Sequence, residues 1–265
     1  LGDWDRHEDQ WRWFDDDKGK EKHYVAVPRD RDQVFHLTQG LLPKIASRDY
    51  ILPTLRNFNA GMTHVKWLLY KTRFINAYPE MQFSEAEWMK EAEWFQSKLT
   101  DSLLENALQQ LPRSAYELRH DVLLSKMKAR RDRLPDAMRT YYRFIQKRVD
   151  IRTSDKNELV QVTGVPGGGM QVSIRKINKD GEVKEELANK VYDPSLTKEI
   201  RLYIGNGKDS VVVNNTTSNI CLRIIGGKDD KVYNMIAARK KVKLYDRIGN
   251  SRFIGNSDRF RKHLS

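Results

Sequence analysis

The sequence predicts an α+β chain, helical in its first half and β-rich in its second, on three observations. Residues 84–149 repeat apolar side chains at three- and four-residue steps, the period of helices packed on one face. The composition changes near residue 150. Beyond it come short alternating runs separated by glycine-rich punctuation, the pattern of strands and turns. A chain of 265 residues exceeds the roughly 100–150 of a typical single domain, so two are expected. The expected division is 1–150 mostly helical, 151–157 a linker, and 158–265 an all-β domain, either a meander or a short solenoid-like stack.

Taken in order, Trp11 to Phe14 and Tyr24 to Val27 read as short strands around the turn Asp15-Asp16-Asp17-Lys18-Gly19, with Trp4, Trp11 and Trp13 available to a core. Helices are expected around Ile51 to Phe58 and Thr63 to Ile75. Ser84 with Glu87 fits a capping box, followed by the stripe Trp88, Ala92, Phe95, Leu99 and Leu103. Pro112 ends that helix, Ser114 with Glu117 repeats the cap, and Leu118, Val122 and Leu123 continue the stripe. Pro135 breaks again, and Asp136 opens a helix through Tyr142, Ile145 and Val149. The stretch Arg152 to Asn157 reads as the linker. Strands follow at Leu159 to Val165, Gln171 to Ile177, Glu182 to Leu187, Ile200 to Ile204, Ser210 to Val213, Ile220 to Ile225 and Val242 to Tyr245. Pro166-Gly167 between the first two is hairpin chemistry. Ile200 to Asp209 weakly repeats in Leu222 to Asp230, and strand, glycine turn, Asp, strand is the grammar of a stacked coil.

The net charge is +12, a basic excess that suits nucleic acid, an anionic membrane surface or phosphorylated ligands, or solubility alone. No apolar run approaches the roughly 18 residues of a membrane helix, and no signal peptide is visible. The single cysteine, Cys221, cannot form an internal disulfide, and its apolar strand predicts a buried thiol. The chain starts at Leu1 and reads as an internal piece of a larger protein, not a complete enzyme.

The most informative stretch is Gly2-Asp3-Trp4-Asp5-Arg6-His7-Glu8-Asp9-Gln10-Trp11, followed by Pro28-Arg29-Asp30-Arg31-Asp32. Phosphoryl transfer needs a carboxylate to orient the acceptor, and further oxygens to hold Mg²⁺ on the phosphates. Asp5, then Gln10, then Asp30 after a short hairpin supply those types in that order. The structural alternative is a salt-bridge lattice with the tryptophans as core. A further alternative is a metal site built from Asp3, Asp5, His7 and Asp9, though their spacing matches no strong signature.

On those residues, 1–36 resemble the catalytic loop and metal strand of the HipA and CotH atypical kinases. The resemblance implies a kinase-like C-lobe remnant with a helical bundle. It makes Asp5 the catalytic residue, Gln10 and Asp30 the Mg²⁺ ligands with Asp32 a second, and ATP the nucleotide. Gln10 departs from the family's Asn by one methylene. The glycine-rich loop and phosphate-binding lysine of such folds lie upstream of this stretch. A second resemblance covers more of the chain. Gly-Asp-Trp-Asp-Arg-His, then Val-Pro-Arg-Asp-Arg-Asp-Gln-Val-Phe, helices, and a β-domain with Arg-x-Ile-Gly-Gly are similar to a middle region of Gram-negative envelope proteins. Those combine a calcineurin-like phosphoesterase with a BamA/TamA-type outer-membrane barrel. It implies a location in the cell envelope, periplasmic or outer-membrane-associated, with the hydrolase and barrel of the same polypeptide as partners.

Gly205-Asn206-Gly207-Lys208-Asp209 and Gly226-Gly227-Lys228-Asp229-Asp230 partly match calcium-binding β-roll turns, with Asp209 and Asp230 as Ca²⁺ ligands. Lys208 and Lys228 oppose a cation there, which favours plain glycine turns. Lys126, Arg130, Arg131, Arg139 and Arg143 form a basic helical surface that would grip an anionic envelope surface or nucleic acid. Such a run is more often a solvated face, which weighs against nucleic acid. The expected function is a structural and coupling module of a larger envelope protein carrying a kinase-like acidic site. The alternatives are part of a Mg²⁺-dependent phosphotransferase, and a basic module for an anionic surface or nucleic acid.

Overall fold

The computed structural model describes residues 2–17, 22–62, 64–247, 249 and 251–264, and the architecture is α+β. The chain divides into two compact units: residues 1–76 with 85–142, and residues 77–84 with 143–265. Among the described residues no helix is long and apolar enough to cross a membrane.

The first unit opens with an antiparallel hairpin of β1 (Trp11–Asp17) and β2 (Lys22–Pro28). The expected turn falls partly at 18–21, outside the described residues. Trp13 is half exposed rather than core. Short helices α1 (Leu41–Ala46) and α2 (Val65–Leu68) precede α4 (Glu85–Lys98), α5 (Asp101–Leu108) and α6 (Arg113–Asp132); α3 (Ala77–Gln82) belongs to the second unit. The expected helix at Ile51 to Phe58 is only a 3-10 turn at Pro53–Leu55, where proline fixes the backbone.

Of the expectations about these helices, one fails and one holds only in part. Helix α6 is not capped by Ser114: Pro112 is its N-cap and no side chain caps it, so Ser114 lies inside the helix, and Glu117 pairs with Arg113 at 2.7 Å. The apolar stripe holds only in part. Its Ala92 and Leu123 are buried, but its Phe95, Leu103, Leu118 and Val122 are exposed, and Met89, Leu104 and Leu108 outside it are buried. One core cluster joins Phe58, Leu108 and Leu123.

Helices α5 and α6 are clamped by His120, whose Nε2 lies 2.8 Å from Glu105 and whose Nδ1 lies 2.8 Å from Asp121. Hydrogen bonding to Glu105 and then to Asp121 raises the imidazole pKa above its ordinary value. A group raised on folding adds stability below its unfolded pKa and loses it as pH climbs through the folded one. His120→Gln should therefore lower the melting temperature at pH 6 and leave it nearly unchanged at pH 9. Equal losses at both values would show that the charge is not what clamps the helices.

Helix α7 (Leu134–Ile145) accepts Pro135 in its first turn, where the missing amide is not needed. In the second unit β3 (Arg148–Arg152) is followed by β4 (Glu158–Gly164). The segment 151–157 is therefore no linker. It is the end of β3 and a corner fastened to the next coil. Thr153 Oγ1 accepts Gly205 N, Asp155 Oδ1 accepts Asn206 N and Asn157 Oδ1 accepts Lys208 N. A run of Thr, Ser, Asp and Asn suits either a linker or a corner, because all four accept backbone amides.

After β4 come β5 (Met170–Ile177), β6 (Val183–Tyr192), β7 (Glu199–Tyr203), β8 (Asp209–Asn215), β9 (Cys221–Ile225), β10 (Lys231–Ala238), β11 (Val242–Asp246), β12 (Ser251–Gly255) and β13 (Phe260–Leu264). One sheet runs β13-β11-β9-β7-β3 and is parallel throughout. The other runs β12-β10-β8-β4 in parallel and is extended by the antiparallel hairpin β5-β6. The chain thus winds in coils, each giving one strand to each sheet. Inward residues stack in columns: Ile151, Leu202, Ile224 and Leu244 from one sheet, Val160, Val211 and Tyr233 from the other, all essentially inaccessible to water. At the corner the glycines are obligatory. A methyl group on Gly205 would run into the Ser154 carbonyl, and one on Gly227 into the Gly205 carbonyl. Helix α3 packs on β3 and β6 and brings Met81 against this core.

Candidate functional site

The acidic stretch of the first unit folds back on itself before β1. Asp5 and Gln10 meet as the spacing suggests, with Gln10 Nε2 3.5 Å from Asp5 Oδ2. The other Asp5 oxygen is taken by Lys71 Nζ, whose ammonium also sits 4.8 Å from the Trp4 ring centre. Asp3 pairs with Arg6 at 2.7 Å, and Arg6 reaches the Arg29 carbonyl at 2.8 Å. Trp4 Nε1 donates to Gln33 Oε1 at 3.2 Å, and Arg29 N donates to Gln10 O at 2.8 Å. The stretch therefore fastens β2 and its following loop to the N-terminus. His7 lies 3.5 Å from the exposed Asp9.

Asp30 holds a left-handed backbone with φ 42°, an uncommon conformation for a residue with a side chain. Asp32 accepts a hydrogen bond from Gln33 at 3.0 Å. Among the described residues no three His, Cys, Asp or Glu side chains gather as a metal-ligand set. The fit to Mg²⁺ rests instead on Asp5 with Gln10, whose buried Oε1 has no hydrogen-bond partner. An acceptor left in that state suits a cation or a donor. Lys71 was not singled out from the sequence. It stands 66 positions from Asp5, and no local pattern connects the two.

The basic helical run is put to use within its own unit. Lys126 Nζ donates to Phe58 O at 3.1 Å, and Arg130 to the carbonyls of Asn59 and Gly61 at 3.2 and 3.1 Å. Arg131 holds Leu99 O and Asp101, and Arg139 pairs with Asp136 at 3.1 Å. Lys126, Arg130 and Arg131 stitch α6 to the loop at 58–61 and to the α4–α5 connection, and the Arg139–Asp136 pair lies within α7. Arg143 lies at the exposed end of α7.

The glycine turns of the second unit show equally specific pairing. Asp209 is buried with both oxygens engaged: Oδ1 accepts Glu158 N at 2.9 Å, and Oδ2 lies 3.0 Å from Lys231 Nζ. Lys231 in turn donates to the Gly207 carbonyl. A lysine ammonium thus stands where the turn would hold a cation. Asp229, not Asp230, ties the turn, accepting Gly207 N at 2.8 Å. Cys221 is exposed, contrary to the buried thiol expected, because its strand position points to the outer face beside Glu199.

Comparison with protein-family models, with curated proteins and with solved structures gives no match.

Proposed function

We propose that this chain is a structural and coupling module of a larger cell-envelope protein, in which the acidic stretch fastens the fold. One observation carries the proposal: the carboxylate of Asp5, the residue in the catalytic position, is held by Lys71 and Gln10. The neighbouring Asp3–Arg6 pair and the Trp4–Gln33 bond tie down the same loop, so the constellation already works as a clasp. The envelope location and the neighbouring hydrolase and barrel domains rest on the likeness of the N-terminal motifs and the order of segments. The parallel coils add a rigid body suited to holding neighbouring domains apart.

A second reading has one observation in its favour. The unpartnered, buried Gln10 Oε1 beside Asp5 is the oxygen that a phosphotransferase would turn toward Mg²⁺. When bound, Mg²⁺ would neutralise phosphate charge. Asp5 would orient the acceptor hydroxyl once Lys71 released it.

The two readings separate by calorimetry on the purified chain with Mg²⁺ and a nonhydrolysable ATP analogue, beside Asp5→Asn. The module reading expects no nucleotide heat and a melting temperature several degrees lower in Asp5→Asn, since Lys71 loses its partner. Nucleotide binding that disappears in Asp5→Asn, with melting unchanged, would replace it with the phosphotransferase reading.

A further inference from the structure

The coil stack sets its outward side chains in columns, and the two sheets differ sharply in what they present. On the all-parallel sheet Asp150, Arg201, Arg223, Lys243 and Arg261 form one column in register. Arg152, Tyr203, Ile225, Tyr245 and His263 form the next. With Arg148 and Glu199 alongside, this face carries six cations against two carboxylates, 6 − 2 = +4. The four coil strands of the opposite sheet carry a single outward charge, Arg252. Five strands at about 4.8 Å make the basic face roughly 19 Å long.

The charge is also graded along the stack. Near β3 the cations are answered: Arg223 meets Glu199 at 2.8 Å, and Arg201 lies 3.6 Å from Glu199 and 3.8 Å from Asp150. Toward β13 that face presents no carboxylate among the described residues. Lys243 and Arg261 are exposed there, beside the Tyr245 and His263 rings stacked 4.6 Å apart. Those rings border a cleft of about 490 Å³ with Ile225, Arg247 and the half-exposed Leu264. Its one acid, Asp246, is already held by Tyr233 and Ser251.

We infer that the β11–β13 end of this face docks on an anionic phospholipid surface. Charge complementarity supports that occupant, since phosphate headgroups answer Lys243 and Arg261, which have no ion-pair partner among the described residues. A regular sheet presents its cations in rows across a broad face, which suits a plane of headgroups. The Tyr245 ring is of the residue type that settles at the boundary between headgroups and acyl chains, and Leu264 offers apolar surface beside it. The interaction is independent of whether the acidic stretch binds nucleotide, and it requires none of that stretch's residues.

The test is co-sedimentation of the full chain with vesicles of phosphatidylcholine alone, or with 30% phosphatidylglycerol, at low and physiological salt. We expect binding only to the anionic vesicles, weakening with salt. Lys243→Glu with Arg261→Glu should weaken it at least tenfold. A control with the same charge change elsewhere, Arg175→Glu with Arg252→Glu, should change it by less than about twofold. Equal losses in both doubles would reduce the effect to net charge and overturn the assignment. So would absence of binding to anionic vesicles, or equal binding to neutral ones. Tighter binding to a single-stranded oligonucleotide, abolished by Lys243→Glu with Arg261→Glu, would make the face a nucleic-acid site instead.

Discussion

Replacing Lys231 with methionine should destabilise the chain by roughly 3–5 kcal/mol, the cost of breaking one partner out of a buried ion pair. Lys231 and Asp209 have no side-chain exposure. They occupy matching first positions of neighbouring strands, β10 and β8, at the inner corner of the coils. Burial, opposed by the Lys231 ammonium and the Glu158 amide, leaves the Asp209 carboxyl pushed up to about 6. Without Lys231 the carboxylate faces only the Glu158 amide, and the Gly207 carbonyl loses its donor. The cost should shrink at pH 5, where Asp209 can take up a proton. The double variant Lys231→Met with Asp209→Asn keeps an acceptor for Glu158 N and removes the stranded charge, so it should be much milder than the single change. Urea denaturation of both variants at pH 5 and 7.5 decides the matter. A single variant as stable as the double would show that the pair is not coupled.

Glu80→Gln should have the opposite sign. Glu80 lies on α3 with 5% exposure, and its Oε2 accepts the Asp150 amide at 2.7 Å. Burial pushes its carboxyl up to about 8. The Asp150 amide opposes the shift, the Asp150 carboxylate adds to it, and Lys190 and Arg201 oppose it. The folded state therefore holds a proton that the unfolded chain releases above its ordinary value of 4.5. Stability from this group is complete below 4.5 and is lost as pH rises from there to about 8. At about 1.4 kcal/mol per pKa unit the span amounts to a few kcal/mol. Glutamine keeps the acceptor for Asp150 N and has no proton to lose. The variant should gain a few kcal/mol over the parent at pH 8.5 and almost nothing at pH 4. Parallel pH curves for the two proteins would place the shift elsewhere.

Where the sequence reading succeeded and failed follows from the range of the interactions concerned. Helices α4 to α7 rest on local periodicity, and they stand near where Trp88 to Ile145 placed them. Which face is buried depends on partners far along the chain, so Leu118 and Val122 misled. Strand β3 was hidden because Val149 continued the helical stripe, and its corner residues also suit a linker. Strand β10 was hidden because an inward lysine, Lys231, breaks the alternation that marks a strand. The meeting of Asp5 and Gln10 was legible because only five positions separate them. Lys71 was not, since only the folded chain brings it there. The basic column left one trace, in Ile200-Arg201-Leu202 and Leu222-Arg223-Ile224, which occupy the same place on successive coils. Lys243 and Arg261 join them only through the pairing of β11 with its neighbours.

The coil stack has a property that a closed sheet lacks: its dimension is countable. Each turn of the winding uses about 20 residues, advances the stack by one strand spacing of about 4.8 Å, and meets only the turns beside it. Adding or deleting a whole turn between β9 and β11 would therefore lengthen or shorten the unit by one increment, with its cross-section and both ends preserved. Adding half a turn would swap every later strand to the opposite sheet and turn its cations away from their column. The number of coils alone therefore sets the length of the stack.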